Sequence, residues 1–543
     1  MPAMLKYSYI KAYHKCYVNG NGALFIQTAE GNSLMDNKET EKLYSEGNKK
    51  KTGLKGAVLA GFFWRFMERG GTSLVEFVVQ TILARWFLSP EDFATVALIS
   101  IFINISNICI QAGFNTALIQ KKDTDDDDCS SVFLLSLGLS IVFYIILFFC
   151  APLIASFYDK PILTAVLRVQ ALTLIMGAFS TVPNAILTKR MEFKKIFYRT
   201  IGATVCSAVV GLVMAFNEFG LWTIVGQTLT VNFVGAIFLW FSVKWRPRLV
   251  FSKGKIRSLF GFGGKILGSN LINTVYANIV PLFMEKVYAG GTLGYYNKAR
   301  TIPEKLTENI NGTISTVIFP SLSTVQNDKV RVKELTRRFI VTSSFIMFAM
   351  MAGLIATARP LVLLWLTDKW AMSIPMMQFV CISYAFIPIN NANLQAISAM
   401  GRSDIYIKLE IIKDTIGVVL LGGAFAVSVF CGLGEKGIFL VLAVQALISV
   451  ISVIVNAVPN KKLLDYSLKE QFCDILPSLT LAIVMGVLTW AITLLNLPNW
   501  LTLVIQLVFG VTFYLGTARI LKFECLSYLM STLKEIMNRR KRK

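Results

Sequence analysis

Histidine is almost missing from this chain: His14 is the only one in 543 residues. A histidine-based metal site or proton relay is therefore all but excluded on supply alone. The nine cysteines are scattered, with no CxxC pair and no metal-ligand spacing,. Most lie in apolar runs, where cysteine behaves as a small hydrophobe. Charge is scarce as well, at 16% Asp, Glu, Lys and Arg against about 25% in ordinary soluble domains. Acidic residues are scarcer than basic ones, 32 against 54, which leaves a net charge of +22. There is no Gly-x-x-x-x-Gly-Lys-[Ser/Thr] phosphate loop, so ATP is not the expected energy source. The first twenty residues lack a continuous apolar stretch, so no cleaved signal peptide is expected,. Segments of about ten alternating residues, the mark of a membrane β-barrel, are not seen.

What is abundant is apolar length. Hydrophobic residues make up 55% of the chain, and mean hydropathy is +0.59. Runs such as 137-LGLSIVFYIILFFCAPLIASF-157 recur, each near the roughly 20 residues a helix needs to cross hydrocarbon. In lipid the backbone must satisfy its own hydrogen bonds, so helices are the default. The sequence predicts an all-α polytopic membrane protein of about fourteen transmembrane helices. The spans are 57–83, 92–113, 130–157, 162–187, 200–217, 221–243, 263–285, 293–318, 338–366, 372–398, 405–431, 438–458, 474–496 and 499–521. The eighth is polar enough to be missed by hydropathy alone. Residues 1–56 form a polar leader with no span, and translation is expected to begin at Met35, which makes 1–34 upstream sequence.

Loop charge tests the count. With both ends cytoplasmic, the inner loops collect 23 Lys and Arg, among them Lys189, Arg190, Lys195, Lys253, Arg331 and Lys462. The outer loops hold five: Arg85, Lys160, Lys286, Lys369 and Lys436. That asymmetry is the positive-inside rule, and it accounts for the positive charge without nucleic acid. No basic patch interleaved with stacking aromatics lies outside the spans.

A weak repeat relates two parts of the chain. Residues 61–99 and 262–300 align at an offset of 201, with Ala84-Arg85 facing Glu285-Lys286 and Ser89-Pro90 facing Gly290-Gly291. Six spans separate the copies, so they share orientation, as parallel repeats do. The expected architecture is an N-lobe at 57–243, a basic cytoplasmic linker at 244–262 and a C-lobe at 263–458. Two six-helix lobes in pseudo-two-fold repeat enclose a central cavity; two further helices at 459–521 and a basic cytoplasmic tail at 522–543 follow.

Charged groups within spans are costly and face a partner or water. The first span carries Arg65, Glu68, Arg69, Thr72, Glu76 and Gln80 within an arc of about 120°. The second carries Asn104 and Asn107, the seventh Lys265 and Asn273, and the eighth Lys298, Arg300, Glu304, Lys305 and Glu308. Polar faces thus fall on equivalent helices of the two lobes, with cations prominent. A water-filled cavity for an anion explains that pattern, because Arg and Lys bind phosphate by charge-assisted hydrogen bonds. The six basic residues are the diphosphate candidates. The carboxylates, with Gln80 and the asparagines, are candidates for coupling or for lining the cavity. Buried pairs such as Arg65–Glu68, Arg69–Glu76 and Lys305–Glu308 are the structural alternative. No metal site is expected. Asp123 and the run 125-DDDD-128 read first as a solvated acidic loop. Arg359, before Pro360, reads as a snorkelling cation, and Trp222, Trp365, Trp370 and Trp500 as an interfacial belt.

Five strings resemble one family. They are 83-LARWFLSPEDFATVALI-99, 113-GFNTALIQ-120, 294-GYYNKAR-300, 318-IFPSLSTVQND-328 and 400-MGRSD-404. In this order they are similar to the polysaccharide-exporter branch of the multidrug/oligosaccharidyl-lipid/polysaccharide superfamily, and most to Wzx-type flippases of the colanic-acid-exporter kind. Ala94 stands where that family usually has Gly. The resemblance implies a flippase for undecaprenyl-diphosphate-linked oligosaccharide in the inner membrane. It would work by alternating access on an H+ or Na+ gradient, without a cofactor, alongside a polysaccharide polymerase and a chain-length regulator. The related lipid II flippases carry an Arg-Asp pair where this chain reads Val79-Gln80, so Arg65 and Arg69 would have to substitute. The rivals are a multidrug or organic-cation antiporter of the same superfamily, a membrane polymerase or ligase, and a scaffold without transport.

Overall fold

The computed structural model describes residues 16–18, 24–28, 31–34, 61, 63–112, 118, 124–250, 252–288, 290–326, 328–527 and 530–531. Three short strands, β1 (Cys16–Val18), β2 (Leu24–Thr28) and β3 (Gly31–Leu34), pair antiparallel in that order. The sequence does not signal this small sheet. Its strands are too short to cross a bilayer.

Fourteen long helical segments follow. They are α1 (63–87), α2 (Pro90–Asn107), α3 (Asp126–Phe157), α4 (Ile162–Gln170 and Leu172–Lys189), α5 (Phe193–Phe216), α6 (Trp222–Ser242) and α7 (Lys253–Tyr288). Then come α8 (Thr292–Thr324), α9 (Lys329–Leu366), α10 (Ser373–Ala385 and Ile387–Ala399), α11 (Ser403–Phe430), α12 (Gly437–Leu464), α13 (Leu468–Ala491) and α14 (Asn499–Ile520). Among the described residues, eleven of these are long and apolar enough to cross a membrane. The other three, α1, α7 and α8, are the helices with charged or polar faces. The chain is a multi-pass membrane protein.

Local chemistry sets the boundaries. Ser89 starts α2 with a capping box: its hydroxyl accepts from the Asp92 N–H, and the Asp92 carboxylate accepts from the Ser89 N–H at 2.8 Å. Pro90 fits the first helical turn, where no N–H is needed. This is why the string around Ser89-Pro90-Glu91-Asp92 turns where it does. The acidic run does the same for α3. Asp125 caps the helix by accepting from the Asp128 N–H at 2.7 Å, and Asp126 pairs with Arg248 of the basic linker at 3.5 Å. Negative charge there also complements the helix dipole. Pro388 divides α10, because a proline cannot donate into the helix that precedes it,. In 400-MGRSD-404, Gly401 takes a φ of +74° to end α10,. Arg402 then clasps Asp404 through two bonds of 2.9 Å, and that clasp holds the exposed Asp404 carboxyl down to about 2. The basic linker is shorter than expected: α7 begins at Lys253, taking up Lys255 and Arg257.

Helices α1–α6 form one lobe and α7–α12 the other. Within them α5 packs on α6, α3 on α4, α11 on α12, and α8 on α10. The final pair, α13 and α14, packs on α9. Arg337 of α9 grips Asp474 of α13 at 2.7 Å, and Lys333 reaches Glu470 at 3.4 Å. A buried amide ladder stitches the C-lobe to this pair. Asn460 of α12 donates to the Asn393 carbonyl at 2.7 Å, and Asn393 of α10 donates to Gln471 of α13 at 3.0 Å. Interhelical amide bonds in membranes are worth roughly 0.6–2 kcal/mol each. Asn393→Ala, which strands both partners, is expected to destabilise the protein by about 1–3 kcal/mol. The check is a lowered midpoint of thermal unfolding in detergent, with Asn391→Ala as the comparison.

Candidate transport site and the junction between the lobes

The odd-numbered helices run from a basic end, where Lys189, Arg190, Lys244 and Arg248 gather, to the end where α1 turns into α2. We call the latter the junction end. There the lobes hold each other reciprocally. The connection between α3 and α4 grips the end of α7: the Tyr158 hydroxyl donates to the Leu282 carbonyl at 3.4 Å, Lys160 pairs with Glu285, and Lys286 pairs with Asp159 at 2.9 Å. The end of α9 and its connection to α10 grip the end of α1: the Trp365 indole donates to the Thr81 hydroxyl at 2.6 Å, the Trp370 indole to the Ala84 carbonyl at 3.0 Å, and Arg85 donates to the Leu364 carbonyl. The gripped positions 282, 285 and 286 are 201 residues beyond 81, 84 and 85, the offset of the sequence repeat. One half of this clasp is ionic and the other uses mainly neutral groups and backbone carbonyls.

Between the halves the backbones meet. A Cβ on Gly294 would lie 2.0 Å from the Pro90 carbonyl oxygen, and one on Gly291 2.8 Å from the Glu91 nitrogen. Position 291 is the repeat equivalent of 90, so this contact lies where a two-fold axis would pass, with like meeting like. Gly291 and Gly294 of 290-GGTLG-294 are thus required by close approach, and Gly290 by its φ of +65°. At the end of α1, Leu83–Phe87 forms a π-helical turn, a device common at functional sites,.

The candidate residues divide by position. Lys298 is not open to a cavity but buried at the junction, with its ammonium 3.8 Å from the centre of the Phe93 ring and 6.0 Å from that of Trp370. Arg65 bonds Glu68 at 3.0 Å and lies over the Phe193 ring. Glu68 is buried and accepts from Thr200 of α5 at 3.0 Å, so this pair looks into the N-lobe. Arg300 bonds Glu304 at 3.1 Å and the Tyr384 hydroxyl at 3.2 Å. Lys305 and Glu308 are exposed and 3.8 Å apart.

Arg69, Glu76, Asn104 and Asn273 are exposed although they lie along membrane-length helices, while Asn107 is half-buried. Arg69 has no ion-pair partner among the described residues, so the pair Arg69–Glu76 is not formed. Glu76 instead lies within electrostatic reach of Lys305 on the opposite lobe. The polar arc of α1 therefore splits. One edge, Glu68 and Thr72, is buried within the N-lobe, and the other, Arg69 and Glu76, is exposed, with Glu76 within reach of Lys305 of the C-lobe. Glu76 and Gln80 also line a cavity of about 160 Å³ with Thr204, Ser207, Gln227 and Thr228, where Gln80 donates to Gln227 at 3.3 Å. The Lys265 side chain lies outside the described residues. Among the described residues no group of three or more His, Cys, Asp or Glu could hold a metal ion.

The sequence reading missed two features. One is the clasp: Lys160, Lys286 and Lys369 count there only as outer-loop charges, although Lys286 sits opposite Arg85 in the repeat. The other is the charged turn of α11, where Lys413 pairs with Glu410 at 2.5 Å and Gly417 makes room for Tyr276 of α7. Its signal is a Glu-x-x-Lys-Asp string inside a span.

The two-lobed, almost entirely helical arrangement is shared with known membrane-protein structures. A lipid II flippase in an inward closed conformation matches with a TM-score of 0.63, at 16% identity, over 85% of this chain and 98% of that one. An inward-facing multidrug resistance transporter of the MATE family of the MOP superfamily matches with a TM-score of 0.57, at 15% identity, over 73% of this chain and 94% of that one. These likenesses concern the fold. Residues 82–375 match the family described as polysaccharide biosynthesis protein, and the chain belongs to that family. It is 23% identical to the lipopolysaccharide biosynthesis protein WzxC of Escherichia coli (strain K12), over 76% of this chain and 84% of that protein. It is equally similar, at 23%, to the succinoglycan biosynthesis transport protein ExoT of Rhizobium meliloti (strain 1021), over 66% and 73%. The teichuronic acid biosynthesis protein TuaB of Bacillus subtilis (strain 168) is also 23% identical, over 72% and 79%.

The clasp carries its own test. Gly294→Ala is expected to force the lobes apart, because the added methyl cannot share space with a backbone carbonyl. In a variant cleared of native cysteines, a cysteine at Ala94 should be protected from an impermeant thiol reagent and should become reactive when Gly294→Ala is added. Lys160→Ala should have the same effect by stranding buried Glu285, and Lys160→Ala with Glu285→Gln should restore much of the protection.

Proposed function

We propose that this protein flips a polyprenyl-diphosphate-linked oligosaccharide across the inner membrane for surface polysaccharide assembly, as a transporter and not an enzyme. The observation that carries this reading is Arg69, an exposed guanidinium on a membrane-length helix with no acidic partner among the described residues. An exposed cation without a counter-ion offers charge-assisted hydrogen bonds to a dianionic group from the cargo. Family membership and the names of the relatives support the same cargo class. In this reading the diphosphate rests on Arg69 with Lys305 and Lys265, the glycan occupies the aqueous space between the lobes, and the polyprenyl tail stays in lipid. The basic end is cytoplasmic, with both termini there, and cargo enters from that side while the junction is closed. The product would be passed to a polymerase with a chain-length regulator.

Glu76 is the coupling group in this reading. It has the polar cavity of Gln80, Thr204, Ser207 and Gln227 on one side and Lys305 on the other. A proton or Na+ at Glu76 would free Lys305 for the diphosphate, and departure of the ion would restore the Glu76–Lys305 attraction and expel cargo. Coupling of this kind needs only one charge that both ligands feel.

Arg69→Ala is expected to abolish surface polysaccharide at unchanged membrane abundance, scored by polysaccharide staining and immunoblot. Arg69→Ala with Glu76→Ala should stay inactive; full activity of that double variant would rule out cargo binding by Arg69. Orientation is tested separately. Reporter fusions at Lys195, Lys253, Arg331 and Lys462 should read cytoplasm and those at Asp159, Gly290 and Asn499 the far side, with two reversed sites refuting the arrangement.

A further inference from the structure

A second exposed cation, Arg359, also lacks a counter-ion among the described residues. Arg359 lies about two turns below the junction end of α9 and has no hydrogen-bond or ion-pair partner among the described residues. It lines a cavity of about 190 Å³ with Gln378 of α10 and with Trp490, Thr493 and Asn496 from the end of α13. That volume corresponds to roughly six molecules of liquid water.

The walls are built for an acceptor. Pro360 cannot donate within α9, which releases the Ala356 carbonyl. Gln506 of α14 is buried and donates to the Thr489 carbonyl at 3.0 Å and to the Thr493 hydroxyl oxygen at 2.9 Å, with the Ala356 carbonyl 3.5 Å from the same nitrogen. The Thr493 hydroxyl is thereby held with its own hydrogen available to donate. Gln378 spends one N–H on the Ile355 carbonyl at 3.2 Å and keeps the other. Asn496 is fixed at a φ of +49° at the turn between α13 and α14. The facing hairpin offers no counter-charge, because residues 475–518 contain no charged residue. Leu494, Leu495, Trp490 and Trp500 are exposed around the opening, the aromatic and apolar surface that faces the headgroup level of a bilayer.

We infer that this cavity binds the phosphate of an anionic phospholipid headgroup in the leaflet at the junction end, with Arg359 as its counter-ion. A guanidinium takes a phosphate through paired N–H groups, and Thr493, Asn496 and Gln378 supply neutral donors beside it. Trp490 stands at the rim, where an indole settles between acyl chain and headgroup. The site is separate from the interlobe cations and does not depend on what the protein transports.

The test uses the full chain reconstituted in phosphatidylcholine with and without phosphatidylglycerol, then examined by native mass spectrometry. The wild-type protein should retain phosphatidylglycerol over phosphatidylcholine, and Arg359→Gln should lose that preference by about tenfold. Arg519→Gln, at the opposite end of α14, should keep it. A preference unchanged in Arg359→Gln would overturn the inference, as would displacement of the lipid by millimolar inorganic phosphate, which would identify a soluble anion as the ligand. A second measurement does not rely on the Arg359 variant. Brominated phosphatidylglycerol should quench tryptophan fluorescence more than brominated phosphatidylcholine does, and Trp490→Phe should remove the difference. Equal quenching by the two lipids in the wild-type protein would refute the site.

Discussion

Lys160 and Glu285 form an ion pair between the lobes with both side chains largely out of water, and the closed junction depends on it. Removing two charges from water costs several kcal/mol per ion, and only their mutual attraction in a low-dielectric setting repays that cost. The pair is therefore stable only while the lobes are together. Once separated, Glu285 has bulk water as its alternative, and Lys160 has water and Glu91 of its own lobe, 3.7 Å away in the closed form. This makes closure conditional. The neutral half of the clasp, through Trp365 and Trp370, and the backbone contact at Gly294 define where the lobes stop, while the ionic half responds to access of water. A contact that can exist only closed or fully hydrated separates two states instead of permitting a continuum of tilts.

The same logic links the junction to the interlobe space. Lys298, one helical turn beyond Gly294, fills the closed junction with its ammonium over the Phe93 ring. Arg300, Glu304 and Lys305 continue along α8 away from it. Motion of α8 relative to α2 therefore moves Lys298 at the junction together with Arg300, Glu304 and Lys305. Glu76 faces that helix from the other lobe, within electrostatic reach of Lys305.

Much of the fold was legible because its signals are additive. Long apolar runs, loop charge and the offset of 201 each average over many residues, and the helices appear where the runs lie. The broken α10 was legible in principle from Pro388. Of the charged helices, α8 is polar enough to be missed by hydropathy alone. The candidate site was less legible, for a geometric reason. An arc of about 120° on α1 is one face by periodicity, yet it straddles the boundary between a packed interface and open space. Glu68 fell on one side and Arg69 on the other, one residue apart, and no helical wheel places that boundary without the neighbouring α5. Lys298 shows the converse: a lysine in a polar stripe whose environment is set by Phe93, about 200 positions earlier. The β-strands near the N-terminus gave no signal, since runs of three to five residues fall below the length at which alternation can be read.

The length of α9 has a mechanical consequence. Its 38 residues correspond to about 57 Å at 1.5 Å per residue, nearly twice the hydrocarbon thickness of about 30 Å. Several turns therefore project past the membrane at the basic end, where Lys333 and Arg337 bind them to α13. The two helices together form a stiff boom whose fulcrum is the grip of Trp365 and Trp370 on α1. A rotation of about 10° at the fulcrum would sweep the far tip through about 10 Å for a rod of that length. Small rearrangements among a few side chains at one membrane face are thus geared into large excursions at the other.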